Sequence, residues 1–301
     1  MRVKSDLSRD NVSLVAGGLA MYALLSVFPA LAAAVSFYGL LFTPADVIKH
    51  MNALSGLVPQ GARDIFNSAL QDVARRQTGT LTVAAFFTML VALASARAGM
   101  ASLMRAANIA YQEREKRGFF KRLMTSVSFT LGAILGVIGM LLLAVAVPMV
   151  FKPLISSPSV ESLVATLRWA LLWAFAVLGL AVTYRFAPAR ELARWRWVTW
   201  GSVVAATLWV TGSLLFAFYL RTFGSYEKMY GALGGVVVLL MWFYLSSFFV
   251  VLGAEINAEM ERQTKQDTTE GAEVPMGQRG AHAADSVGPS AAEMAQAKRS
   301  P

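Results

Sequence analysis

The side chains able to do chemistry in this chain are few, and they do not assemble. Of 301 residues none is cysteine, and only His50 and His282 are histidine. Without cysteine there is no thiolate nucleophile, no thiolate metal site and no disulfide framework. The two histidines lie in separate polar stretches, which leaves no HExxH pair and no histidine cluster to hold a metal. Glycine-rich phosphate-binding patterns are absent as well. Asp64, Asp72, Glu113 and Glu115 sit among basic residues, as carboxylates of a solvated face do. The chain is therefore expected not to be an enzyme and to carry no cofactor. Three charged residues keep unusual company: Glu255, Arg97 and Arg185 each end a long apolar run. A carboxylate at the edge of hydrocarbon is costly unless it is wet or paired. One reading makes Glu255 an interfacial anchor paired with Arg97 or Arg185. The other makes it a group that gates or binds at the inner mouth of a path between helices.

The element that positions Glu255 is the stretch Met229–Asn257, uncharged from Met229 to Ala254. Such a helix, rising about 1.5 Å per residue, is long enough to cross a hydrocarbon core of about 30 Å with some tilt. At about 100° per residue, Gly231, Gly235, Trp242, Ser246, Gly253 and Asn257 share one narrow sector. The Gly231-xxx-Gly235 spacing on it permits close approach of a second backbone. Gly235→Leu is accordingly expected to disrupt packing more than Val237→Leu. Tyr230, Tyr244 and Glu255 line a different sector. A helix with two such faces belongs inside a bundle, with neighbours on both sides.

Composition sets the class. Hydrophobic residues make up 56% of the chain and charged residues 15%, against about 25% charged in soluble domains. This deficit predicts an all-α polytopic membrane protein. Residues 1–12 form a polar lead, 13–260 a transmembrane domain and 261–301 a disordered tail whose composition lacks apolar periodicity. Six spans are expected, at about 13–42, 79–96, 123–150, 162–185, 197–221 and 229–257. Within the first, Pro29 predicts a bend, with Ser26 satisfying a freed backbone group. Amphipathic outer helices are expected between the first two spans. Ser128, Gly132, Gly136 and Gly139 form a small-residue packing seam on the third.

These strings carry a family resemblance. Tyr230-Gly231-Ala232-Leu233-Gly234-Gly235, Trp242 with Tyr244, and Leu252-Gly253-Ala254-Glu255 with Asn257 resemble the C-terminal signature of the YihY/BrkB family of bacterial inner-membrane proteins, once labelled ribonuclease BN. The small-residue run before Tyr22, followed by Ser26-x-x-Pro29, resembles the family's N-terminal motif, and Asn108-Ile109-Ala110-Tyr111 is similar again. The resemblance covers most of residues 10–260 and implies the inner membrane as location. A metal-dependent ribonuclease would need several His and Asp ligands that this chain lacks, so the old label is rejected.

With the N-terminus inside, 19 of the 27 Lys and Arg residues fall on the inner side and 8 on the outer. This bias predicts that both termini are cytoplasmic. The segment 97–122, holding seven of the basic residues, lacks the interleaved aromatics of a nucleic-acid surface. Anionic lipid is its expected partner, with no specific nucleic acid; homo-oligomerisation is compatible with the sequence. Two functions remain open. The first is a transporter or flippase-like protein for a lipid or amphipathic solute, supported by Tyr22, Ser26 and Tyr244 at inner positions; no charge deep in the bilayer suggests ion coupling. The second is a non-catalytic envelope factor or scaffold acting through partners.

Overall fold

A computed structural model describes residues 2–41, 81–151, 158–223 and 232–288. Among these residues the fold is all-helical. The helices are α1 (Arg2–Arg9), α2 (Val12–Leu41), α3 (Leu81–Ala110), α4 (Phe119–Phe151), α5 (Pro158–Phe186), α6 (Trp195–Phe223), α7 (Ala232–Glu261) and a single turn, α8 (His282–Asp285). Two compact units are present, residues 1–20 with 101–301 and residues 21–100. In the first unit α4 packs on α5, α5 on α6 and α6 on α7, while α1 lies against α7.

Four stretches are long and apolar enough to cross a membrane: Phe119–Met140, Ser159–Phe186, Trp195–Arg221 and Gly234–Glu261. Their outward sides are greasy. Leu135 of α4, Leu163 of α5 and Phe218 of α6 are each about two-thirds exposed. Apolar surface on this scale requires hydrocarbon or a partner to cover it. The first two of the expected spans fall on α2 and α3, each 30 residues long. The outer amphipathic helices expected within 43–78 lie outside the described residues.

Several boundaries differ from expectation. Helix α3 does not stop near residue 96 but continues to Ala110, so Arg97, Arg105 and Asn108 are helical rather than in a loop. The run from Ala96 to Ala110 is rich in Ala, Leu, Met and Arg, the strongest helix formers, and charge alone does not end a helix. It ends at Gln112, whose φ is +55°. The Glu113 N–H reaches back to the Asn108 carbonyl (2.8 Å) and the Gln112 N–H to that of Ile109 (2.9 Å), which is the Schellman arrangement. The non-helical link is thus only 111–118. On α4 the expected glycine seam is mostly unused: an added Cβ would meet nothing within 4 Å at Gly132 or Gly136, while at Gly139 it would meet Phe175 of α5 at 3.1 Å.

Candidate functional site

Helix α7 has the two working faces that its periodicity implied. One lies on α6. Asn257 is fully buried; its Oδ1 accepts the Gly201 N–H (2.7 Å) and its Nδ2 donates to the Val198 carbonyl (3.1 Å). Ser246 accepts from the Trp209 indole (3.0 Å), and the Trp242 indole donates to Ser213 (3.3 Å). Between these, Gly253 and Gly201 bring two backbones into contact, so that a Cβ on Gly253 would stand 2.7 Å from the Gly201 carbonyl oxygen and 2.7 Å from Ala205 Cβ. Gly235 departs from the expected sector: it is exposed, and nothing lies within 4 Å of its Cβ position. The bulk of Trp209, Trp242 and Phe249 fills the interface beyond Gly253, so the close approach is confined to the Gly201–Gly253 end. Gly231 and Tyr230 lie outside the described residues. The opposite face of α7 carries Phe248 and Val251 into a cluster with Val12, Leu19 and Ala106. Tyr244 stacks on Phe248 with ring centroids 6.4 Å apart.

At the Glu255 end of α7, the α5–α6 turn (187–194) acts as a hub. Asn108 Oδ1 accepts the Ala189 N–H at 2.7 Å, and Asn108 Nδ2 donates to Glu115 at 3.2 Å. Arg117 donates to the Ala187 carbonyl at 2.5 Å. Arg190 forms a two-pronged pair with Glu261, at 3.1 and 2.7 Å, and the two side chains are 1% and 0% exposed. Burial would weaken the Arg190 charge, but the Glu261 carboxylate outweighs it and raises the guanidinium pKa. The Arg190 guanidinium also lies over the Tyr111 ring, 5.1 Å from its centroid. This buried pair escaped the sequence reading because its partners stand 71 positions apart and neither ends an apolar run conspicuously.

Residues 262–288 are not a disordered tail but a folded cap on this hub. Ala193 and Thr269 form an antiparallel bridge. Thr268 donates to Glu261 (2.8 Å), Arg194 to the Thr269 carbonyl (2.8 Å), and the His282 N–H to Glu113 (2.6 Å). Ala283 enters the core cluster with Tyr111, Tyr184 and Val198. The segment holds itself together through side chains. Arg279 donates to the carbonyls of Lys265, Gln266, Val274 and Ala284, while Asp267 accepts from Thr269 and Val274. Arg185, expected near Glu255, belongs to this cap instead: it pairs with Glu270 at 2.5 Å and stacks over Trp195 at 4.5 Å.

Glu255 is therefore left without the arginine expected for it. It is completely enclosed, 0% exposed, and neither of its carboxylate oxygens accepts a hydrogen bond. Helix α1, with Asp6 and Arg9 and with Asp10 just after it, packs against α7 and is tied to its end through Arg262. Both arginines are engaged with other carboxylates, Arg9 with Asp6 (3.0 Å) and Asp10 (3.2 Å), and Arg262 with Glu259 (3.3 Å) and Asp6 (3.4 Å). Glu255, Glu259 and Arg262 follow the i, i+4, i+7 spacing of one helix face, and α1 lies against that helix.

In the other unit, Ser26 does not serve the carbonyl freed by Pro29. Its hydroxyl is within reach of the Tyr22 carbonyl (2.7 Å) and the Ser95 carbonyl (2.9 Å), which ties α2 to α3. Gly99 permits this approach, since a Cβ there would lie 3.3 Å from Ser26 Oγ. Tyr22 is partly exposed, α2 continues as helix through Pro29, and Arg97 is half-buried on α3.

Long apolar helices with greasy outer sides and a polar, ion-paired end define a helical membrane protein. The comparisons narrow this further: residues 3–276 match the family described as virulence factor BrkB, and the chain belongs to it. It is 30% identical to the ribonuclease-like protein YfkH of Bacillus subtilis over 251 residues, covering 82% of this chain and 89% of that relative. It is 28% identical to a UPF0761 membrane protein of Tolumonas auensis over 254 residues (83% and 81%). A UPF0761 membrane protein of Vibrio parahaemolyticus is 29% identical over 262 residues (85% and 80%). No solved structure matches the chain.

Proposed function

We propose that this protein is a six-span inner-membrane transporter or flippase-like protein for a lipid or amphipathic solute, with both termini cytoplasmic and no catalytic activity of its own. The observation that carries the reading is Glu255. A buried carboxylate without hydrogen bonds costs a structure several kcal/mol, and a static scaffold gains nothing from keeping it. A protein that passes between two conformations has a use for a group whose surroundings change. The arrangement of the polar end supports the topology: the N-terminal helix, the 111–118 link, the 187–194 turn and the cap gather at one end of the first unit, and these are the segments carrying the basic excess. Phe119 and Phe120, 71% and 79% exposed, precede Lys121 and Arg122 at the start of α4, as suits the headgroup layer of an anionic leaflet.

The test is movement of a fluorescent phospholipid analogue in reconstituted vesicles, read by a quencher that cannot cross the bilayer. Vesicles holding the protein should lose more than the outer-leaflet share of fluorescence, and Glu255→Gln should slow that loss at least several-fold. Loss equal to that of protein-free vesicles, across neutral and anionic lipid, would leave the envelope scaffold as the reading.

A further inference from the structure

We infer that Glu255 is a proton-binding site closed by α1. The groups facing it can be named element by element. Helix α1 and the turn after it bring Asp6, Arg9 and Asp10; the end of α7 brings Glu259 and Arg262; the turn after α3 brings Tyr111. Among the described residues, the Arg9 and Arg262 guanidinium groups are each already shared between carboxylates other than Glu255.

An enclosed carboxylate that accepts no hydrogen bond must acquire a positive charge. Among the described residues no three His, Asp or Glu side chains converge to hold a metal ion. Glu255 is itself 0% exposed, which leaves no room at its oxygens for an amine or larger cation. A proton needs no room. One proton from water joins one carboxylate oxygen to give the neutral acid, and release returns it to water; no other bond changes. Access requires α1 to lift. Its contact with the end of α7 includes the Asp6–Arg262 pair at 3.4 Å, a long ion pair that a small displacement breaks. When it breaks, Arg262 keeps only its Glu259 pair, and a shift along the same helix face toward Glu255 displaces the proton. The same group would then be neutral with α1 docked and ionised with α1 raised, which makes the proton the coupling species for the transport proposed above. The assignment of the site stands on the geometry alone; only its purpose rests on the transport reading.

The test is difference infrared spectroscopy on the full-length protein in lipid at neutral pH, which reads the proton whether or not any lipid is moved. A protonated carboxylic-acid carbonyl band should be present, should shift in D₂O, and should vanish in Glu255→Gln. Asp6→Asn gives a second arm that does not alter Glu255. It removes one of the two carboxylates that hold Arg262 and one negative charge near Glu255, so the band should be lost or its titration displaced to lower pH. A wild-type spectrum with no protonated-acid band overturns the proposal. So does a band unchanged in Glu255→Gln, or one whose titration is unmoved in Asp6→Asn.

Discussion

At the scale of single residues, Asn257, Asn108 and the Arg190–Glu261 pair tie the described elements together, whereas both carboxylate oxygens of Glu255 accept nothing. Asn257 and Asn108 each bridge two elements with both ends of the amide, and both ranked among the residues singled out from sequence. Arg190 and Glu261 did not, although their pair is the most enclosed in the described residues. Removing one member of a buried pair leaves a charge stranded, at a cost of about 3–5 kcal/mol, whereas replacing both can be nearly neutral. Arg190→Met should therefore destabilise the protein strongly, and adding Glu261→Gln should restore much of the loss. Unfolding in detergent across the double-mutant cycle measures the coupling. A coupling near zero would mean that Arg190 is held by the Glu191 carbonyl and the Tyr111 ring alone.

At the scale of elements, the α6–α7 pairing turns on two glycines that the sequence treated unequally. The 3.6-residue period placed Gly253 and Asn257 on a packing face because that face is set by α7 alone. It placed Gly235 there too, and wrongly, because periodicity says which residues share a face but not how far along the helix the neighbour stays close. Gly201 stood in the sequence without emphasis, its significance depending on register with a helix 52 positions away. The two predictions now separate. Gly253→Ala forces a Cβ against the Gly201 carbonyl and Ala205, backbone and Cβ atoms that cannot swing aside, and should cost roughly 1–3 kcal/mol or more. Gly235→Ala meets open space and should be neutral or stabilising by up to about 1 kcal/mol through helix propensity. Thermal unfolding of the two variants in the same detergent compares them directly, and equal losses would contradict the packing described.

At the scale of the whole molecule, the apolar spans were legible and the cap was not. Span length and charge depletion are properties of contiguous sequence, so α4 to α7 could be read one at a time. The order of residues 262–288 comes instead from single side chains reaching backbone groups, Asp267 and Arg279 above all, and such bonds leave no periodic trace. They do leave a titratable one. Burial alone would raise the Asp267 carboxyl, but the hydroxyl and N–H of Thr269, the N–H of Val274 and the Arg279 charge outweigh it and hold the pKa below the usual carboxylate value. A carboxyl depressed in this way contributes stability that is complete above its unfolded pKa, about 3.9, and is lost as pH falls through the lower folded value. The cap should accordingly stay latched at neutral pH and loosen in acid, below about pH 4. Amide hydrogen exchange at Thr269 and Val274 reports the latch. In Asp267→Asn those amides should exchange quickly already at neutral pH, with little further change on acidification. If the variant keeps the wild-type acid profile, the latch belongs to another carboxylate of the hub, and Asp267 is only a turn former.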